Sequence, residues 1–294
     1  MLLAAACWGS SGIFIKLIMT AGPVSSLLLA FWRDATAFLV FFSLAVALDH
    51  RQLRIRRSDW SILAGMGISL GVFHVALNLG YRLNGAAITT IQQAAMPAIV
   101  LVAARILWKE PLTAMKIFSL ILICIGTVLV SGLIRTGVFT ATGAGILVGF
   151  LVPVLYAGWS LFGKALRTGY SAVGTLSWAF GIATLILLPC QLATATIFPA
   201  PLPLISFLWF AGLIFISTAG GFFAFIFALG RLPAGMATIL AMSEIAFAVV
   251  YARIILGETL SLMEIGGTIV IVAGVITLLD PKEAAAASKP AFRR

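Results

Sequence analysis

The chain has 294 residues, of which 62% are hydrophobic and only 10% charged, with a formal net charge of +10. A soluble domain carries roughly 25% charged residues to face water, so a water-exposed fold is excluded, and the Lys and Arg residues punctuate apolar runs rather than forming the single basic face that nucleic acid requires. A membrane-crossing chain must satisfy its backbone internally, as helices or as a closed barrel; barrel strands alternate residue by residue, whereas here apolar residues run on for about 20 positions at a time, which predicts helices.

In chain order, the predicted helices of the first half lie near 2–20, 24–48, 59–80, 86–107 and 115–134, and those of the second near 143–164, 171–197, 203–229, 233–255 and 263–280. The residues from Pro281 onward read as a polar, Ala-rich, disordered tail. No charged stretch precedes the first apolar run, so that run is expected to stay as a helix rather than be cleaved as a signal peptide. With the N-terminus in the cytoplasm, the inner segments hold Arg51, Arg54, Arg56, Arg57, Arg105, Lys109, Lys116, Lys164, Arg167, Arg231, Lys282, Lys289, Arg293 and Arg294, and the outer loops hold Arg82, Arg135 and Arg253. Basic loops resist translocation, so both termini are expected inside. Cys7, Cys124 and Cys190 lie in apolar runs without CxxC spacing, which predicts small buried hydrophobes rather than ligands or disulfides.

An internal repeat emerges from Glu110 and Glu258, which lie 148 positions apart in similar contexts. The same shift, without gaps, pairs Thr90 with Thr238, Arg105 with Arg253, Leu112 with Leu260, Met115 with Met263, Gly126 with Gly274 and Lys16 with Lys164. Matched Leu or Ala is common between apolar segments; Arg and Glu matched at a five-residue separation is not. Five helices per copy is an odd number, so the second copy enters the membrane from the opposite side. The expected fold class is all-α integral membrane, ten transmembrane helices as two inverted five-helix repeats, an architecture whose binding site lies near the midplane between the halves.

The strings RILWKEPLTAMKI from Arg105 and RIILGETLSLMEI from Arg253 resemble the signature that closes the fourth helix of EamA-type domains. Two such domains in tandem resemble the drug/metabolite transporter superfamily over nearly the whole chain. The resemblance implies a first repeat over 1–137, a second over 138–280 and a cytoplasmic tail over 281–294. It also implies a secondary transporter of a bacterial-type inner membrane that exports amino acids or related small metabolites. In that family the residues before the signature often read Glu-Pro. Here the first half has Met96-Pro97 and the second Glu244-Ile245, so each half keeps one residue of the pair.

Charged residues within a bilayer cost about 2.5 to 3.5 kcal/mol each on insertion scales, so each needs a reason to be there. Glu244 lies near the middle of the ninth apolar segment, where it can bind a substrate amine or exchange a proton; the alternative is a structural pair with a base such as Lys16. Arg33 and Asp34 on the second helix can form an interhelical network, with Lys16 as one partner, or touch substrate. Lys16 can instead snorkel to the outer interface. Gly71, His74, Asn78 and Tyr81 share one face of the third helix, a polar stripe that must look at a cavity or another helix rather than lipid, and His74 can titrate in a transport cycle. Thr90, Gln93 and Pro97 share a face of the fourth helix, and Tyr156 and Trp159 follow Pro153 on the sixth, where aromatic rings suit apolar or cationic substrates. Packing by Gly220-Gly221 and by Ala237, Ala241 and Ala248 accounts for the small residues of helices eight and nine.

The sequence has no Walker A, HExxH or GxSxG motif and no ligand cluster at metal spacing, so no enzyme, cofactor or ATP-driven step is expected. The expected partners are a small-molecule substrate and the lipid bilayer, with no nucleic acid; monomer and homodimer both remain open. Import or exchange is the alternative to export, and a lipid flippase or membrane enzyme the less favoured class.

Overall fold

A computed structural model describes residues 1–136, 143–167, 169–194 and 201–278. The polar tail expected at 281–294, with Lys282, Lys289, Arg293 and Arg294, lies outside these residues, as does the side chain of Arg135. The described residues contain no β-strand. In chain order the main helical segments are α1 Leu2–Ala21, α2 Ser26–Leu53, α3 Arg57–Gly85, α4 Ile88–Trp108, α5 Ala114–Val130, α6 Gly143–Leu166, α7 Ala172–Leu192, α8 Leu204–Leu229, α9 Ala234–Leu256 and α10 Leu262–Thr277. Eight are long and apolar enough to cross a bilayer; α5 and α10 are apolar but have only 17 and 16 residues. At 1.5 Å per residue such helices reach about 25 Å, a little less than the hydrocarbon thickness of about 30 Å.

The starts and stops of these helices follow local chemistry. Ser25, Thr113, Ser171 and Ser261 cap α2, α5, α7 and α10, each side chain accepting a hydrogen bond from a backbone N–H three residues on, which satisfies an orphan donor of the first turn. Helices α4 and α9 stop on left-handed residues, Lys109 at φ 56° and Gly257 at φ 68°. In both, the acid that follows closes the end, Glu110 N–H donating to the Ala104 carbonyl and Glu258 N–H to that of Ala252, each at 3.3 Å. A left-handed residue at this point turns the chain and satisfies late carbonyls.

Several helices are interrupted. In α1 the break is at Ser10, whose hydroxyl donates to the Cys7 carbonyl at 2.6 Å. In α8 the stretch Leu213–Gly220 winds as a π-helix, with the Thr218 hydroxyl donating to the Leu213 carbonyl; such bulges favour functional positions. The breaks in α4 at Ala94–Ala95 and in α9 at Met242–Ser243 are 148 residues apart. Pro97 follows the first, but Ile245 stands at the matching place in the second, so proline alone does not account for them. In α9 the Ser243 hydroxyl takes the Leu240 carbonyl at 2.7 Å, competing with the backbone ladder.

Packing follows a regular scheme: α2 on α7, α4 on α9, α5 on α10, α3 on α6 and α7, α8 on α1 and α2, α4 on α6 and α9 on α1. Exchanging each helix for the one five places along turns every pair of this set into itself or another member. The α5–α10 contact illustrates the cause. In lipid there is no hydrophobic force between apolar helices, so association depends on close backbone approach. Gly126 faces the Gly267 carbonyl and Ile271, and Gly274 faces the Ser119 carbonyl and Ile123, with the Ser119 hydroxyl donating to the Gly274 carbonyl at 2.5 Å.

Large apolar side chains such as Leu39, Ile106, Phe150, Leu204, Ile254 and Ile269 are exposed. In water such a surface would aggregate; in a bilayer it is the lipid face. Two sequence expectations change. Cys7, Cys124 and Cys190 are free but only half-buried. Lys116, expected as an inner-surface charge, is 2% exposed and donates from Nζ to the Pro111 carbonyl at 2.8 Å, tying the loop before α5 to the helix.

Candidate functional site

Two polar groups of the interior gather most of the candidate residues. The first joins α2 to α3. Asp34 is fully buried, its Oδ2 lies 2.6 Å from His74 Nδ1, and its Oδ1 accepts from Arg33 Nε at 3.3 Å. Arg33 Nη2 lies 2.6 Å from His74 Nε2. A guanidinium only donates, so Nε2 accepts, the ring proton is on Nδ1, and Asp34 receives it. The imidazole is neutral in this arrangement, and the opposite charges of Arg33 and Asp34 cancel in place. Adjacent helical residues point about 100° apart and need no mutual bond, yet Arg33 and Asp34 do pair, because His74 draws both toward α3.

One turn further along α3, Asn78 donates from Nδ2 to the His74 carbonyl at 2.8 Å. Its Oδ1 is buried with no partner among the described residues, and an unfilled buried acceptor is uncommon enough to mark a place where something polar can bind. Tyr81, next on that face, lies within electrostatic reach of both Arg33 and Glu244, and 42% of its surface is accessible.

The second group centres on Glu244, at the first position of the helix that resumes after the break in α9. Helix N-termini favour negative charge. Its Oε1 accepts a hydrogen bond from Gln93 Nε2 of α4 at 3.4 Å, and among the described residues it has no ion pair. It is enclosed by protein, keeps part of its surface accessible, and lies within electrostatic reach of Tyr81 and Tyr156. Gln93 is the last residue before the break in α4, so the two interrupted helices face each other with amide and carboxylate at their breaks. Thr90, one turn earlier, is half-buried.

On the side of Glu244 toward Leu166 and Leu229, aromatic rings close the interior. Tyr156 stacks on Phe73 with centroids 4.8 Å apart, and Trp8 meets Tyr156, Trp159, Phe222 and Phe225 within 6.5 Å. Trp159 is completely buried against Phe225, and its Nε1 has no partner among the described residues. Trp159 is thus part of the plug, while the Tyr156 ring joins plug to site. Trp8 was not anticipated, although the 148-residue shift places it opposite Tyr156; a lone Trp in an apolar run carries no periodic signal.

Lys16 stands apart from both groups. Its Nζ lies 2.5 Å from Glu258 Oε1, with the side chains 53% and 44% exposed. The sequence left Glu244, Asp34 and the interface as its possible partners; the fold brings α1 alongside α9, and Glu258 takes it. No group of three or more His, Cys, Asp or Glu suited to a metal occurs among the described residues.

Comparison with known proteins agrees with this architecture. The model of a family described as the EamA-like transporter family matches residues 1–132 and 143–279. An uncharacterized transporter of Archaeoglobus fulgidus is 24% identical over 270 residues, covering 91% of this chain and 93% of its own. A protein of known crystal structure superposes with a TM-score of 0.78 at 16% identity, over 94% of each chain, a likeness in fold.

Proposed function

The chain belongs to the EamA-like transporter family, and on that premise we propose that it is a secondary transporter exporting amino acids or related small metabolites by alternating access. In this reading ten helices span a bacterial-type inner membrane, with both termini in the cytoplasm. Residues 1–137 and 138–280 are the two inverted repeats, and 281–294 is a cytoplasmic tail. The fourteen inner against three outer basic residues support the orientation, and the packing scheme that survives exchange of the halves supports the repeat.

The observation that carries the proposal is Glu244: an enclosed, partly accessible carboxylate without a cationic partner, set between two interrupted helices. Discontinuous helices facing each other at mid-depth are how many transporters build a site. An enclosed carboxylate without a counter-charge suits a ligand ammonium, whose entry supplies the missing charge. The Tyr81 and Tyr156 rings suit the same cation, and the free Asn78 Oδ1 suits a second donor. When empty, the carboxyl can take a proton instead, which would couple export to a pH gradient. Arg33, Asp34 and His74 hold α2 against α3 and present Arg33 toward Tyr81, where a substrate carboxylate could meet it.

The test is purified protein in liposomes, given a panel of labelled amino acids with and without a pH gradient. Saturable flux of an amine-bearing substrate, lost in Glu244→Gln, is the expected result. Flux of the same size and pH dependence in that variant removes Glu244 from the mechanism, and no flux of any substrate removes the proposal.

A further inference from the structure

The acids that mark the repeat, Glu110 and Glu258, have different partners at the two ends of the molecule. At one end Glu110 holds the start of α9, its Oε1 accepting from Ala234 N–H at 2.8 Å and its Oε2 from Gly235 N–H at 3.2 Å. Lys164, at the end of α6, donates from Nζ to the carbonyls of Leu229 and Leu232 at 2.7 and 2.6 Å and lies within electrostatic reach of Glu110. Acid and base together grip the α8–α9 turn from both sides, and both are half-buried. At the other end the repeat-mates of these residues, Glu258 and Lys16, bind each other and are exposed. The turn they would grip, by the same 148-residue shift, is the α3–α4 turn, with carbonyls at Tyr81 and Asn84 and amides at Ala86 and Ala87.

We propose that these four charges are two interchangeable gates, one closed and one open in this structure. Closed, a gate has its Glu on the first amides of a broken helix and its Lys on the carbonyls of the preceding turn. Open, its Glu and Lys pair with each other. In the opposite state Glu258 caps α4 through Ala86 and Ala87, Lys16 grips Tyr81 and Asn84, and Glu110 pairs with Lys164. The energetics differ at the two settings. A carboxylate on helix N-terminal amides makes charge-assisted bonds that the local dipole strengthens, whereas an exposed ion pair contributes little. Each closed gate is therefore a real bias on the equilibrium, and each open gate merely keeps its charges occupied. With both termini inside, the closed end is the cytoplasmic one, on the same side as the aromatic plug. Tyr81, part of the proposed substrate cavity, belongs to the outer turn, so closing that gate also covers the site. The inference rests on the two-sided carrier reading of the preceding section.

The experiment uses full-length protein in liposomes of known orientation, with Cys7, Cys124 and Cys190 replaced by Ser. Single reporters, Leu232→Cys in the inner turn and Leu83→Cys in the outer, are alkylated from each side with an impermeant maleimide. Glu110→Gln is expected to raise labelling at 232 and lower it at 83, changing their ratio about tenfold, the effect of losing hydrogen bonds to a charged group. Glu258→Gln is expected to move the ratio the other way. Unchanged labelling, labelling raised at both reporters together, or a shift in the same direction in both variants overturns the proposal. If Glu110→Gln does not reach the membrane, Glu258→Gln decides alone, since its exposed pair is dispensable for folding; an unchanged ratio then overturns it. Amino-acid flux is measured in the same liposomes. Flux without reciprocal labelling removes the gates and keeps the carrier; reciprocal labelling without flux keeps the gates and removes the amino-acid reading.

Discussion

The two halves share a scaffold and differ in what they carry. Helices α4 and α9 break at the same place, stop on the same kind of left-handed residue and are closed by the same backbone bond. Yet where α9 has Glu244, α4 has Met96, fully buried. The reverse holds for α2 and α3: where they carry Arg33, Asp34 and His74, the second half has Gly181, Ile182 and Phe222. Geometry has been kept twice and chemistry once. The interior thus holds one lone carboxylate and one self-neutralised network, and under the proposed function such unlike groups suit a substrate with unlike ends better than a symmetric one.

Breaking the network of the first half should have the largest effect. Asp34→Asn leaves Arg33 without its counter-charge beside buried His74 and is expected to cost about 3 to 5 kcal/mol of stability, as removing one partner of a buried ion pair does. Thermal unfolding in detergent measures it, and the double variant Arg33→Gln with Asp34→Asn should recover part of the loss. Ile182→Val, at the matching place in the second half, is expected to cost only about 0.5 to 1.5 kcal/mol.

Glu244→Gln comes next and separates function from fold. It should lower substrate flux about 30-fold, the scale of losing one enclosed charge partner of about 2 kcal/mol, while the melting temperature holds or rises, because the replaced acid has no cation to leave behind. Initial rates in liposomes and a melting curve read the two effects.

The shared scaffold can be probed by overfilling it. A Cβ at Gly126 would lie 2.6 Å from the Ile271 side chain and 2.7 Å from the Gly267 carbonyl, whereas one at Gly274 would have its nearest neighbours at 3.1 Å. Gly126→Ala should therefore cost about 1 to 3 kcal/mol, and Gly274→Ala less. Equal losses would mean that the two faces of the α5–α10 contact are equally tight.

The smallest effect is expected from Ile245→Pro, which restores the residue the first half has at position 97. The substitution removes one bond, from the 245 N–H to the Met242 carbonyl at 3.1 Å, but falls in the first turn after an existing break, where proline fits. A loss below about 1 kcal/mol would show that the break is built into α9 already; a loss near the helix-interior cost of about 3 kcal/mol would show that α9 is straighter than α4.

Segment lengths, composition and the charges that bound them were enough to locate the helices to within a few residues, because the bilayer imposes a length and a polarity that any one segment must meet alone. The repeat was legible too, through Arg105 and Glu110 and their mates, since spacing along one chain is written in the sequence itself. The place of Glu244 midway along its apolar segment also follows from counting residues to the nearest polar end. Partnership was another matter. That Lys16 meets Glu258, 242 positions away, rather than Glu244 or Asp34, and that Asp34 gathers both Arg33 and His74, depended on which helix faces which and at what rotation. A helical stripe states the angle of a side chain about its own axis; only packing against neighbours places a second charge opposite it. The half-exposed cysteines and buried Lys116 have the same cause. Each lies at a depth that its segment decided, with surroundings that the assembled bundle decided.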